Sequence, residues 1–214
     1  NLILITSIIN TPKLPLSSSK IRSVFTRKER FEQTKKTIKS IKEKLPNKKI
    51  ILVECTDFNQ EEKEYFQKNC NYVLNLWNKK ELHHNIFGKS KALGEGTMTI
   101  KALEYIKELN LEYQYLYKIC GRYWLNENFK IENIENNIFK KIDNEKNIST
   151  VFFKIDKKTV QKLLFFLNNN IEKMKLFIGY EVLIANFVKD IDKKLVDKIG
   201  ISGFVTVCGS EYNG

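Results

Sequence analysis

The stretch Tyr113–Leu125, YQYLYKICGRYWL, gathers the residue types best suited to gripping an anion. Its apolar and aromatic run, Tyr115, Leu116, Tyr117 and Ile119, predicts a buried strand. The run ends at Gly121, so Lys118, Arg122 and Tyr123 cluster at its carboxyl end around a backbone position without a side chain. Ligands of open α/β sheets sit at the carboxyl ends of strands, and two cations beside an open backbone suit a phosphate group. Arginine usage points the same way. Of 37 Lys and Arg residues, only positions 22, 27, 30 and 122 are Arg. In so lysine-biased a chain, a planar bidentate donor marks places where carboxylate or phosphate is held. On this reading Arg22 and Arg122 face a ligand. Arg30, in a charged helical stretch, is expected to be exposed and to make surface pairs, and the same reading is open for Arg27.

Other constellations could carry chemistry. Ser23–Thr34, with Arg22 ahead of it, separates the first strand from the first helix, the usual phosphate position of a βαβ unit. It holds neither G-x-G-x-x-G nor a Walker lysine motif, which disfavours dinucleotide and P-loop chemistry. Glu54-Cys-Thr-Asp57 ends the second strand, where a carboxylate can accept ribose hydroxyls; Asp57 can equally cap the helix that follows. The segment Gly88-Lys89-Ser90-Lys91 through Gly96 precedes a helix and reads as an anion cradle or as a lysine-decorated turn. Glu181 is followed at helical spacing by Ile184, Ala185 and Val188, which puts its carboxylate on the inward face of a helix. Such a group is costly to desolvate unless paired or used, and suits a general base; the alternative is a first-turn Glu that complements the helix dipole. Asp190-Ile-Asp192 has metal-binding spacing but lies among lysines at a helix end and reads as surface. His83 and His84 stand without nearby Cys, which argues against a metal site.

These residues need a frame. Strand-like and helix-like segments alternate, predicting one α/β domain over 1–214 with a mostly parallel sheet. Strands are expected at Leu2–Ile9, Lys49–Glu54, Tyr72–Leu76, along the Tyr115 run and at Thr150–Ile155, with a strand or hairpin at Ile199–Cys208. A helix from the N-cap Thr26, with Glu29 three residues on, should run to about Lys44. Further helices are expected near Asn59–Lys68, after Glu95, at Lys157–Asn168 and at Tyr180–Lys189. Asn126–Asn147 reads as part helix, part polar surface excursion.

At 214 residues, with 42% hydrophobic and 29% charged residues, the chain can bury a sizeable core. No apolar run approaches the roughly 20 residues that cross a bilayer, and NLILITSII lacks the marks of a signal peptide. Its start at Asn1 suggests a trimmed form or one domain of a longer protein. Four scattered Cys fit a reducing compartment rather than disulfides or zinc. The net charge of +12 attracts polyanions, yet Glu interleaves with the lysines, which favours a solvated surface over dedicated nucleic-acid binding.

Taken together, RSVFTRKERFEQTKKTIKSI, GKSKALGEGTMTIKALEYI, YLYKICGRYWL, GYEVLIANF and ISGFVTVCGSEYN resemble, in order and spacing, a nucleotide-sugar-dependent glycosyltransferase of the GT-A type, of the small kind found in bacteria and large DNA viruses. The resemblance covers most of the chain and implies a GT-A-like (Rossmann-like) α/β/α sandwich. It implies transfer of a hexosyl or pentosyl unit from a UDP or GDP sugar to a glycan hydroxyl, in the cytoplasm. It places Thr6, Arg22, Glu54, Lys89 and Lys91 around the donor nucleotide, Lys118, Gly121, Arg122 and Tyr123 by the diphosphate and sugar, and Glu181 near the acceptor. Tyr123, Trp124 and Phe152–Lys154 are expected to line the sugar pocket. Where many such enzymes carry D-x-D, this chain has Lys118-Ile-Cys120. The expectation is therefore that no metal or other cofactor is required, Lys118 and Arg122 neutralising the leaving group in place of Mn²⁺ or Mg²⁺. The competing readings are a non-catalytic polyanion-binding module, a nucleotidyltransferase, and a fold that binds donor without transferring it.

Overall fold

A computed structural model describes residues 1–143 and 146–214; Asn144 and Glu145, within the stretch expected to be a polar excursion, lie outside the described residues. Strand β1 (Leu2–Ser7) is buried on both faces, as an unbroken apolar run at the centre of a parallel sheet should be. Its side chains alternate, Leu2 and Leu4 entering one core and Ile3 and Ile5 the other. Parallel neighbours β2 (Lys49–Glu54) and β4 (Tyr115–Cys120) flank it, and β3 (Tyr72–Asn75) extends the sheet beyond β2. Beyond β4, β7 (Asn147–Asp156) runs antiparallel, followed by β6 (Ile138–Ile142) and the edge strand β8 (Lys194–Val196). The order is β3-β2-β1-β4-β7-β6-β8. A small antiparallel sheet of β5 (Tyr123–Leu125), β9 (Ile201–Phe204) and β10 (Glu211–Asn213) stands beside it.

Helices cover both faces. Phe31, Ile38 and Ile41 of α1 (Arg27–Lys44) and Phe66 of α2 (Gln60–Asn69) close the core on the Ile3 and Ile5 side. Apolar residues of α4 (Lys91–Glu108), α5 (Lys157–Asn169) and α7 (Tyr180–Lys189) close the other, with α3 (His83–Phe87) and α6 (Ile171–Lys175) as single short turns against α4. The expected α/β/α sandwich with a mostly parallel sheet is the observed architecture. Cys55, Cys70 and Cys120 are buried and Cys208 is exposed.

Winding sets where a ligand can bind. From β1 the chain moves outward to β2 and β3, then crosses back through α4 to β4 on the opposite side of β1. A crevice opens where the order reverses, at the carboxyl ends of β1 and β4. Helix α1 defines one wall. Thr26 caps it by accepting from the Glu29 amide while the Glu29 carboxylate takes the Thr26 amide at 2.7 Å, the reciprocal box expected from the sequence. Its buried face is a hydroxyl stripe. Thr34 Oγ1 meets Ser7 Oγ at 3.1 Å, Thr37 donates to the Tyr123 carbonyl at 2.7 Å, and Ser40 accepts from the Leu125 amide at 3.0 Å. Small side chains let α1 lie close to β5, so the β4–β5 turn that carries Arg122 is pinned to the same helix as Arg30.

Two strands depart from expectation. The stretch read as part helix, part surface excursion contains β6, whose Ile138 and Phe139 enter opposite cores. β8 follows Asp190-Ile-Asp192, where a lysine-rich surface was expected; both aspartates are indeed exposed. The tail forms the expected hairpin, with β10 extending past Cys208.

Removing the cap hydroxyl with Thr26→Ala should lower stability by about 1 kcal/mol, read as a shift in the urea midpoint with an unchanged slope.

Candidate ligand-binding cleft

The crevice is a cleft of about 300 Å³. Thr6, Ser7 and Ile8 come from the end of β1, Cys120, Arg122 and Tyr123 from the β4–β5 turn, and Lys91, Gly94, Glu95 and Met98 from the start of α4. The loop between β1 and α1 and the β9–β10 turn at Val205–Val207 close it over.

Among the charged residues that line it, cations prevail: Arg22, Arg30, Lys91 and Arg122 against Glu95. Arg30 is 3% exposed and its Nε donates to the Ile8 carbonyl at 2.6 Å, so its guanidinium is fixed beneath the chain leaving β1. Burial first, and then the neighbouring charge of Arg122, push its pKa down to about 9, which leaves it cationic at neutral pH. Arg122 presents a buried Nε with no hydrogen-bond partner. The Lys91 ammonium lies 3.3 Å from Glu181 Oε1 and 3.9 Å from Glu95 Oε2, and these carboxylates, Glu95 foremost, raise its pKa. Arg22 donates to the carbonyls of Leu14 at 3.2 Å, Phe87 at 2.9 Å and Gly88, strapping the loop above β1 to α3; burial lowers its pKa.

Among the described residues, the buried side-chain atoms left without a hydrogen bond are Gln33 Oε1, Glu95 Oε2, Arg122 Nε, Tyr180 Oη and Thr206 Oγ1. Three of them, those of Glu95, Arg122 and Thr206, belong to residues lining the cleft. Buried polar groups are normally satisfied, so such a concentration marks a surface shaped for a polar occupant.

The structure brings together Thr6, Arg22, Lys91, Arg122 and Tyr123 of the residues expected at the site. Others fall elsewhere. Lys118 is 1% exposed: it lies within β4 under the cleft floor, its ammonium donating to the Thr150 carbonyl and lying 3.0 Å from Cys120 Sγ. A central strand covered on both faces turns every side chain inward, so the Lys118 cation is spent on internal acceptors. Glu54 is also fully buried. It accepts from the Ile9 and Cys55 amides and from Thr56 Oγ1, shaping the chain after β1 instead of meeting a ribose. Gly121 donates its amide to the Thr6 carbonyl at 2.9 Å, and a Cβ there would meet Ser7 Cβ at 2.8 Å; the glycine permits close packing, not ligand approach. The glycine-rich segment serves packing too, since a Cβ at Gly94 would lie 2.8 Å from the Ile86 carbonyl. Ser90 in that segment caps α4, and Lys89 is exposed outside the cleft. Glu181 does not face inward as expected: it is half-buried, lies outside the cleft lining and is tied to Lys91, which lines it. Trp124 is outside the cleft, stacked under the Lys36 ammonium, and Phe152–Lys154 are buried in β7.

Arg30 and Glu95 were the residues not anticipated in these places. Arg30 lies in register with Thr34, Thr37 and Ile41, a buried stripe whose spacing was visible in the sequence. Glu95 stands between two glycines in an otherwise apolar helix start, four residues after Lys91.

No protein-family model matches the chain, and no curated protein sequence matches it. Solved structures do. A nucleoside-diphosphate-sugar pyrophosphorylase from Vibrio cholerae RC9 superposes with a TM-score of 0.53 at 10% identity, covering 94% of each chain. Core-mannan synthase A from Aspergillus fumigatus, in an Mn/GDP form, superposes with a TM-score of 0.51 at 10% identity, over 88% of this chain and 69% of that one. The likeness is one of fold. It is the Rossmann-like sandwich described above.

Glu54 gives the cleft's support a pH signature. Burial pushes its carboxyl up from 4.5 to about 7, against the pull of Thr56, Cys55 and Arg30. The folded state thus holds the proton more tightly than the unfolded chain. That contribution is complete below pH 4.5 and is lost as pH rises through about 7. Relative to Glu54→Gln, the native protein should lose up to about 3 kcal/mol across this window in denaturant titrations; parallel curves would contradict it.

Proposed function

We propose that the protein is a glycosyltransferase that moves a sugar from a nucleoside-diphosphate sugar to a hydroxyl of a glycan acceptor. The observation that carries this reading is the convergence of Arg30, Arg122 and Lys91, with the unpartnered Arg122 Nε, in the crossover crevice. Both fold neighbours are named for work with nucleoside diphosphates or their sugars, which supports the substrate class.

Charge builds on the diphosphate as the bond to the sugar breaks. Donors already fixed at that place stabilise the transition state more than the bound substrate, without reorganisation. Arg122, as expected, and Arg30, held on the Ile8 carbonyl and taking the place first expected of Lys118, are assigned to the diphosphate. Lys91 adds a third cation, oriented by its two glutamates. Glu95, with an unpaired oxygen in the cleft, is assigned to the hydroxyls of the transferred sugar. Glu181, at the rim where an acceptor enters from solvent, is assigned as the base that takes the acceptor proton. Thr6 and Tyr123 line the donor side, and Arg22 holds the overlying loop.

The Mn/GDP form of the mannan synthase raises a divalent ion as partner for the diphosphate. The donor set here does not suit one. Among the described residues no three His, Cys, Asp or Glu side chains converge, and Glu95 is the one carboxylate that lines the cleft. The other charged side chains that line it are Arg22, Arg30, Arg122 and Lys91, so neutralisation of the diphosphate is assigned to guanidinium and ammonium groups. Nucleotidyl transfer of the pyrophosphorylase kind usually needs carboxylates that hold Mg²⁺, and the same donor set disfavours it.

A thermal-shift panel should find a UDP or GDP sugar that raises Tm, and Arg122→Met should weaken that ligand about tenfold or more. Turnover, read as released nucleoside diphosphate, should persist in EDTA. It should fall about 10²-fold in Glu181→Gln. Tm raised by DNA or RNA but by no nucleotide sugar would overturn the reading in favour of polyanion binding.

A further inference from the structure

Away from the cleft's interior, exposed apolar side chains run consecutively through the turn between α6 and α7, whereas Phe165 of α5, at 71% exposed, stands by itself. Leu176 is 75% exposed, Phe177 54%, Ile178 37% and Val182, in the first turn of α7, 39%. The turn itself is well made. The Ile178 amide returns to the Lys173 carbonyl at 3.1 Å and the Phe177 amide to the Met174 carbonyl at 3.2 Å, closing α6. This pattern ends helices at a left-handed residue that is usually glycine. Here that residue is Phe177, with φ of 64°. A bulky side chain in the left-handed region is strained, and folding gains nothing from exposing it.

The turn does not stand alone. Phe177 and Lys175 share a shallow apolar depression with Leu14, Pro15, Phe87 and Lys89. Leu14, 57% exposed, belongs to the loop that roofs the cleft, as does Ile21 at 52%. Cations accompany this apolar surface: Lys89 and Lys175 line the depression, Lys13 precedes Leu14, Lys20 precedes Ile21 and Lys173 lies in α6, and all five are exposed. The loop from Thr11 to Arg22 carries no acid, and the nearby Glu172 is matched by Lys175 at 2.7 Å.

We propose that this face is a membrane-docking surface, in which Leu176, Phe177 and Leu14 enter the interface of an anionic bilayer and the accompanying lysines engage its headgroups. Apolar tips accompanied by lysines match the two attractions such an interface offers, burial of hydrocarbon and a negative surface potential. A second copy of the chain is the poorer occupant. A two-fold contact sets the same patch against itself, and here that opposes lysines to lysines. Nucleic acid would use the lysines but leave the aliphatic tips in water. No helix among the described residues is long and apolar enough to cross a membrane, so the attachment is peripheral. Docked this way, the roof of the cleft and its Glu181 rim face the lipid surface. The inference stands on these exposures and not on the transfer reaction.

The test is flotation of the protein with vesicles of phosphatidylcholine, alone or mixed with phosphatidylglycerol, over a range of salt. Binding is expected to the mixed vesicles only, weakening as salt rises. Leu176→Ser with Phe177→Ser should reduce it about tenfold or more while circular dichroism and Tm hold, since both side chains are exposed. Lys173→Glu should cut the partition coefficient about fivefold or more. Absence of binding to anionic vesicles, equal binding by the double serine variant, or a dimer in solution that this variant dissolves would each overturn the proposal. None of these results bears on nucleotide-sugar binding in the cleft.

Discussion

Two guanidinium groups held close together at the crossover of a parallel sheet set the terms for this molecule. Arg30 is taken almost wholly out of water, and the charge that acts most on it is that of Arg122, another cation. Burying like charges together is unfavourable, and the folded chain must overcome it through structure that does something else well. The Ile8 carbonyl takes one Arg30 donor, the Ser23 hydroxyl takes another at 3.3 Å, and Glu54 lies near enough to oppose its loss of charge. Arg122 has no such relief at Nε. An anion between the two would convert their repulsion into two attractions.

The surrounding architecture follows from keeping those groups in place. The capping box starts α1 at a fixed residue and so sets the turn on which Arg30 emerges. The stripe of Thr34, Thr37 and Ser40 draws β5 against the helix, which fixes the exit of Arg122. Gly121 is the consequence of that closeness, because any side chain there would strike Ser7 and Thr34. Glu54, at the end of β2, ties down the chain after β1 through the Ile9 amide, so the Ile8 carbonyl faces Arg30 from a fixed position. Residues that resemble ligand contacts in the sequence thus serve one layer deeper, holding the residues that line the cleft.

That displacement explains what the sequence disclosed and what it hid. The ends of α1, β2 and α7 were legible because local chemistry decides them: a reciprocal cap, a Pro-Asn stop, a helical apolar spacing. β6 was hidden since only Ile138 and Phe139 of its five residues are core, and flanking lysines made the segment read as surface. The cleft was half legible. Residue type pointed to Arg122, which does line the cleft, because arginine is rare here; it could not tell that Lys118, four residues earlier, points into a core covered by helices on both sides. Arg30 was misjudged for a related reason. Its neighbours in sequence are charged, but its neighbours on the helix face, Thr34 and Thr37, are buried, and burial follows the face.

The distribution of charge across the cleft is not uniform, and the asymmetry has chemical content. Cations from α1 and the β4–β5 turn line the side beneath β1, whereas Glu95, the carboxylate that lines the cleft, comes from α4 and is joined through Lys91 to Glu181 of α7 outside it. A group leaving as an anion is stabilised on the first side and would be repelled on the second. A hydroxyl that must surrender a proton finds a carboxylate only on the second. Lys91 draws both glutamates to itself, at 3.9 and 3.3 Å. On the proposed reading, this separation of charges gives the cleft a direction, with the departing group toward β1 and the entering hydroxyl toward α7.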